Sequence, residues 1–175
     1  MSKAKIIIVD ENDKVIGFKQ RGTLSPTDIY RVSALWIQNS KGDILLAQRS
    51  FNKIHDPGKW GPAVAGTVDE GETYESNIIK EAGEEIGLSD CQFKKAFYEK
   101  NNGNHKYFLQ WYFALVDKDI HSFTIQKEEV EQIKWFSRDE LLQELNDFPD
   151  NFLKSIKDCV VYFANSPSSG RHITK

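Results

Sequence analysis

Hydrophobic and polar positions alternate with two different periods along the chain, and the changes of period outline its elements. Ile6-Ile7-Ile8-Val9 is β-branched, Asp10 to Asp13 is turn-like and Val15 to Phe18 returns, which predicts a β-ribbon over about residues 5–20. After a connector from Thr23 to Asp28, Tyr30 to Gln38 and Ile44 to Gln48 read as strands on either side of the turn Asn39-Ser40-Lys41-Gly42-Asp43. Phe51 to Trp60 is read as a loop around His55-Asp56-Pro57-Gly58, and Ala63 to Val68 as a short buried strand.

Thr73, with Ser76 as a weaker candidate, caps a helix that runs to Ile86 and stops at Gly87. Ile78, Ile79, Ala82 and Ile86 are expected to face the core. Cys91 to Lys100 and Lys106 to Val116 predict two strands joined by the turn Asn101 to Asn104. Asp117 to Glu129 is polar, with a short strand expected at Phe123-Thr124-Ile125. Ile133 to Phe136 is a strand, and Ser137-Arg138-Asp139-Glu140 resembles a capping box that opens a helix through Leu141, Leu142 and Leu145. A last helix is expected from Asp150 or Asn151, with Phe152, Ile156, Cys159, Val160 and Phe163 at helical spacing. Strands and helices are mixed without strict alternation, so the fold class is α+β. Residues 1–165 are expected to form a single domain and residues 166–175 a flexible tail.

Composition narrows the function classes. Lys plus Arg number 23 and Asp plus Glu 26, for a formal charge of −3. That mild acidity argues against a nucleic-acid partner, because neutralising a phosphate backbone needs a basic surface. No unbroken apolar stretch is longer than that from Trp111 to Val116, far short of the ~20 residues of a membrane span. No secretory h-region is legible, and the expected location is cytoplasmic. Cys91 and Cys159 are too few for a disulfide framework, and His55, His105, His121 and His172 show no zinc-ligand spacing. The aromatic residues fall mostly in predicted strands, where core packing accounts for them.

The chemistry concentrates in one helix. Glu81, Glu84 and Glu85 stand at i, i+3 and i+4 and share a face. Like charges at that spacing repel, and they lie in the last turns, where the macrodipole disfavours anions. A cation would compensate them, and carboxylate oxygens suit Mg²⁺ or Mn²⁺ better than zinc. Taken alone, the acid face also fits an ordinary solvated helix surface.

The ordered set around these glutamates adds to the picture. Gly66, five residues, Glu72, seven residues and then Lys80-Glu81-Ala82-Gly83-Glu84-Glu85-Ile86-Gly87-Leu88 resembles the Nudix box, with Lys80 where the family has arginine. The resemblance implies an α/β/α sandwich with a mixed β-sheet and a loop–helix–loop box. It also implies a Mg²⁺- or Mn²⁺-dependent hydrolase that cleaves a diphosphate linkage in a nucleoside-diphosphate-type or related small metabolite. Carried over by position, Glu81, Glu84 and Glu85 would ligate the metal, with the Gly66 carbonyl as an extra ligand. Glu72 would brace the box, and Lys80 would orient a catalytic glutamate. Lysine keeps the charge but loses the planar fork of an arginine, which implies weaker preorganisation.

Ile8 to Gly17, Tyr30-Arg31-Val32, Leu45 to Ser50 and Pro57-Gly58-Lys59-Trp60 resemble the isopentenyl-diphosphate isomerase-like branch of the superfamily. By that resemblance Arg49 and Lys53 would bind the substrate diphosphate. The isomerase's acid–base cysteine has no counterpart between Trp60 and Gly66, and Asn104-His105-Lys106 stands where its second acidic motif is expected. Hydrolysis is therefore the leading reading. A non-catalytic diphosphate-binding domain is the alternative, and prenyl-diphosphate isomerisation the less favoured one. The general base is expected among Glu128, Glu129 and Glu131, with Glu129 the choice, unless Glu85 serves instead. The resemblance leaves the oligomeric state open, with a homodimer as one reading and the N-terminal ribbon as a segment that could join a partner.

Overall fold

The computed structural model describes residues 4–165. The elements run β1 (Lys5–Val9), β2 (Val15–Gln20), β3 (Ile29–Gln38), β4 (Ile44–Arg49), β5 (Trp60–Pro62), β6 (Val64–Thr67), α1 (Tyr74–Ile86), β7 (Lys94–Asn102), β8 (Lys106–Leu115), β9 (Val130–Phe136), α2 (Arg138–Asp147) and α3 (Ser155–Asn165). The expected tail, residues 166–175, lies outside the described residues. No helix among the described residues is long and apolar enough to cross a membrane.

Strand β3 organises the sheet. Along one edge it pairs parallel with β8 from Ile29↔Lys106 to Gln38↔Leu115. Along the other it meets β1, β6 and β4 in turn, all antiparallel. Beyond β4 lie β5 and β9, and β7 pairs with β8. The sheet is therefore mixed.

Period-two alternation on β3, β4 and β8 divides the core between two faces. Ala34, Trp36, Ile44, Leu46, Trp111 and Phe113 pack with Leu141 of α2 and Ile156, Val160 and Phe163 of α3. Leu35, Ile37, Leu45, Tyr112 and Ala114 pack with Ile78, Ala82 and Ile86 of α1. Helices thus cover both faces, and the architecture is the α/β/α sandwich expected from the sequence. Cys91 borders the α1 side of this core and Cys159 sits within the α3 side, and both thiols are free.

Four sequence expectations need correction. Ile79 is 51% exposed, because the buried stripe of α1 is Ile78, Ala82 and Ile86 and Ile79 lies one step around the helix from it. Trp60–Pro62 forms a strand that its glycine and proline conceal from pattern reading. Residues 123–125 are not a strand. Their backbone bonds to the helix instead, with Thr124 N–H donating to the Ile86 carbonyl at 3.2 Å and Gln126 N–H to the Glu85 carbonyl at 2.9 Å. The last helix starts at Ser155, after a 3-10 turn at Pro149–Asn151. Phe152 first bridges Trp60, and Leu153 N–H donates to the Trp60 carbonyl.

Candidate active site

Helix α1 is fixed at both ends by local chemistry. Thr73 and Ser76 form a reciprocal capping box, so Ser76 is part of the cap rather than a later alternative. At the other end Gly87 adopts φ 66°, a left-handed conformation that suits glycine, and Leu88 N–H reaches the Ala82 carbonyl at 2.9 Å. The carboxylates of the helix are therefore held at a defined depth against β6.

Gly66 faces Glu81 directly. A methyl group at Gly66 would lie 2.4 Å from Glu81 Cγ and 2.7 Å from its Oε1, so only glycine leaves room for this side chain. Asn77, one turn before Glu81, is fully buried. Its amide nitrogen donates to Glu72 Oε2 at 2.9 Å, to the Thr67 carbonyl at 3.2 Å and to Glu81 Oε1 at 3.3 Å, while its oxygen accepts from Ser33. Asn77 thus ties the helix to β3, to β6 and to the loop before α1. The sequence reading missed Asn77 and Ser33. The available signal was the i, i+4 placement of Asn77 before Glu81, which puts an uncharged amide on the carboxylate face.

Lys80 bridges the same group. Its ammonium donates to Glu72 Oε1 at 2.6 Å and lies 3.5 Å from Glu81 Oε1. Burial works against the charge on Lys80, but the bond to Glu72 and the fields of Glu81 and Asp69 outweigh it and raise its pKa. Burial likewise opposes the charge on Glu72, yet its bonds from Lys80, the Asp69 N–H and Asn77 hold its pKa below the usual value. Glu72 is thus an ionised brace for the loop and helix.

Glu81 and Glu85 behave in the opposite way. Burial raises the pKa of Glu81, and Glu84 adds to this against the pull of Lys80. Glu85, only 8% exposed, is pushed up to about 8, first by burial and then by the charges of Glu81 and Glu129, against the Ala65 backbone bond and Lys53. Glu84 is exposed. Among the described residues no three His, Cys, Asp or Glu side chains form a ready-made metal cage. What the helix presents is two crowded, desolvated carboxylates with a third on the solvent side. That donor set fits a hard divalent ion, which takes few protein ligands and keeps several waters.

Lys53 and Glu129, each expected separately from the sequence, form an ion pair with one another. The Ser50 N–H donates to the Glu129 carbonyl at 3.0 Å, joining the loop after β4 to the start of β9. Arg49 turns toward its own loop, where its guanidinium donates to the His55 carbonyl at 2.9 and 3.1 Å. Neither Glu128 nor Glu131 joins the pair, although the Glu131 carbonyl accepts from Lys127.

Lys80 supplies a direct test of the brace. If Glu81 is a metal ligand, Lys80→Met is expected to lower catalytic efficiency ~10–100-fold, the usual range for a residue supporting such a ligand. Lys80→Arg, which adds a second prong toward Glu72 and Glu81, is expected to match or exceed the wild type. Steady-state kinetics on all three proteins checks both.

The NUDIX domain profile matches residues 29–156 of the chain. A prenyl-diphosphate phosphatase from Methanosarcina mazei is 28% identical over 163 residues, covering 87% of this chain and 91% of its own. An isopentenyl-diphosphate Delta-isomerase from Photorhabdus laumondii is 26% identical over 149 residues, covering 83% and 84% respectively. Among solved structures, a crystal structure from Deinococcus radiodurans superposes with a TM-score of 0.77 over 90% of this chain and 97% of that one. At 22% identity this is a likeness of fold.

Proposed function

The chain belongs to the NUDIX family, and on that premise we propose that it hydrolyses the diphosphate linkage of a small metabolite with the help of Mg²⁺ or Mn²⁺. The observation that carries this reading is the seating of Glu81 against Gly66, where a methyl group would lie 2.4 Å from its Cγ, with Glu85 buried one turn further along the same helix face. Without a metal a carboxylate buried like Glu85 takes up a proton, and a divalent ion would let it ionise beside Glu81.

In this reading Glu81, Glu85 and the Gly66 carbonyl would hold the ion, and Glu84 would join from the solvent side. When bound, such an ion would supply positive charge to the phosphoryl oxygens and lower the pKa of a water molecule toward neutrality. Lys80, Glu72 and Asn77 keep Glu81 in place. Lys53 leaves Glu129 for the substrate diphosphate, and Arg49 offers its remaining N–H groups to the same phosphates. Glu129, released by Lys53, takes the proton of the attacking water. Relief of the ion pair by the substrate itself would couple binding to activation of the base.

Isomerisation is disfavoured by the thiols. Burial raises the pKa of Cys91, where the nearby Lys118 only partly offsets it, and raises that of Cys159, with the charges of Glu99 and Asp158 adding. Neither thiol is poised to exchange protons with a substrate, and the Ala63–Gly66 segment beside α1 contains none.

The test is a panel of diphosphate compounds with Mg²⁺ or Mn²⁺, scored by release of monophosphate products. It contains nucleoside-diphosphate derivatives and prenyl diphosphates, the latter because the Methanosarcina mazei relative is a prenyl-diphosphate phosphatase. Turnover of at least one class is expected, with no proton exchange into isopentenyl diphosphate. Ligand-induced thermal stabilisation without turnover of any compound would favour a non-catalytic binding domain.

A further inference from the structure

Two histidines far apart in sequence meet in space. The rings of His55, in the loop between β4 and β5, and His105, in the turn between β7 and β8, have centroids 4.8 Å apart and planes inclined at 67°. Both residues are exposed. Among the described residues neither ring takes part in a hydrogen bond or ion pair, and His55 is engaged through its carbonyl, on Arg49.

Both loops are held by bonds that leave the imidazoles free. On one side Arg49 N–H donates to the Lys59 carbonyl at 2.9 Å, Gly58 N–H to the Arg49 carbonyl at 3.1 Å and Gln48 Nε2 to the Gly58 carbonyl at 2.8 Å. On the other, Asn101 Oδ1 accepts from Gly103 N–H at 2.8 Å, and Asn102 pairs with Lys106. The two rings are thus brought together by backbone and side-chain bonds elsewhere.

We propose that His55 and His105 form a two-imidazole site for one borderline divalent ion of the Zn²⁺, Ni²⁺ or Cu²⁺ class, clipping the β4–β5 loop to the β7–β8 turn. Neutral imidazole nitrogens suit these ions, and the carboxylates of α1 suit Mg²⁺ or Mn²⁺. A tetrahedral zinc with Zn–N near 2.1 Å sets two ring centroids roughly 5 Å apart, close to the separation present without any ion. The inclined rings avoid a stacked arrangement, and both side chains are exposed, so they are free to turn a nitrogen each toward a shared ion. Water or a phosphate oxygen completes the coordination. Lys53 and Lys59 flank His55, and Lys106 follows His105. Lys53 is neutralised by Glu129 and Lys59 by Asp56 at 3.0 Å, which lessens the repulsion a cation meets. The site does not rest on the hydrolase reading, because its donors and its ion differ.

The test is calorimetric titration of the metal-free full-length chain with Zn²⁺ and with Ni²⁺. To keep the two donor sets apart, it uses the wild type, His55→Ala, His105→Ala and Glu85→Gln. With the carboxylates of α1 occupied by excess Mg²⁺, one saturable equivalent is expected in the wild type, weakened at least tenfold in each histidine variant and unchanged in Glu85→Gln. The Mg²⁺-induced thermal shift is expected to be the same in both histidine variants as in the wild type. Wild-type Zn²⁺ and Ni²⁺ affinity in either histidine variant, or loss of the equivalent in Glu85→Gln instead, overturns the proposal.

Discussion

Glu85→Gln is expected to reduce diphosphate hydrolysis about 10²–10³-fold, the range for removing one preorganised electrostatic group from a transition state. Glutamine keeps the size of the side chain and its bond from the Ala65 backbone, but it removes the charge that an ion would bind. Glu84→Gln is expected to follow the same direction from the solvent side. The loss should fall on kcat, because neither variant touches Arg49 or Lys53, the residues proposed to bind the substrate. An increase in KM at unchanged kcat would instead assign Glu85 to substrate binding. Full activity of both variants on a substrate that the wild type turns over would remove the carboxylates of α1 from the chemistry.

The second large effect concerns stability without metal. The folded state holds a proton on Glu85 up to about pH 8, whereas the ordinary carboxylate value is 4.5. Between those limits the folded protein binds more protons than the unfolded chain, so stability falls as pH rises through the window and levels off above it. Each tenfold change in proton affinity is worth about 1.4 kcal/mol, so the decline amounts to a few kcal/mol. Burial raises the pKa of Glu81 in the same direction, with Glu84 adding to it and Lys80 resisting. Urea titrations in chelator across this range should show the decline in the wild type and a much flatter profile in Glu85→Gln. The variant should therefore be the more stable protein at pH 8. Stabilisation by Mg²⁺ should grow with pH, because only the ionised carboxylates bind it. A wild-type profile parallel to that of Glu85→Gln would contradict the buried-carboxylate account.

Local signals made much of this molecule legible. Gly66 to Leu88 encodes its own cap, its glycine stop and its carboxylate spacing within one loop and one helix, so the box could be read from neighbouring residues. The two-faced alternation of β3, β4 and β8 is equally local. What escaped the sequence reading depends on distant partners. Asn77 reads as an ordinary helix residue until β3 supplies Ser33 and β6 supplies the Thr67 carbonyl. Lys53 and Glu129 were expected in separate roles, and the pairing of β4 with β9 brings them together. Phe123 to Ile125 has strand-like composition, but its backbone adjoins the free carbonyls at the end of α1 rather than a sheet edge. The histidine pair is likewise a product of two loops meeting, which sequence spacing could not reveal.

The claim beneath all of this is that the acid face of α1 holds a divalent ion. Titration of the metal-free chain with Mn²⁺, followed by electron paramagnetic resonance of the free ion, measures that directly. Saturable Mn²⁺ binding in the wild type, displaced by excess Mg²⁺ and weakened at least tenfold in Glu85→Gln, is the predicted result. Equal Mn²⁺ binding in the two proteins, or none in either, would contradict it.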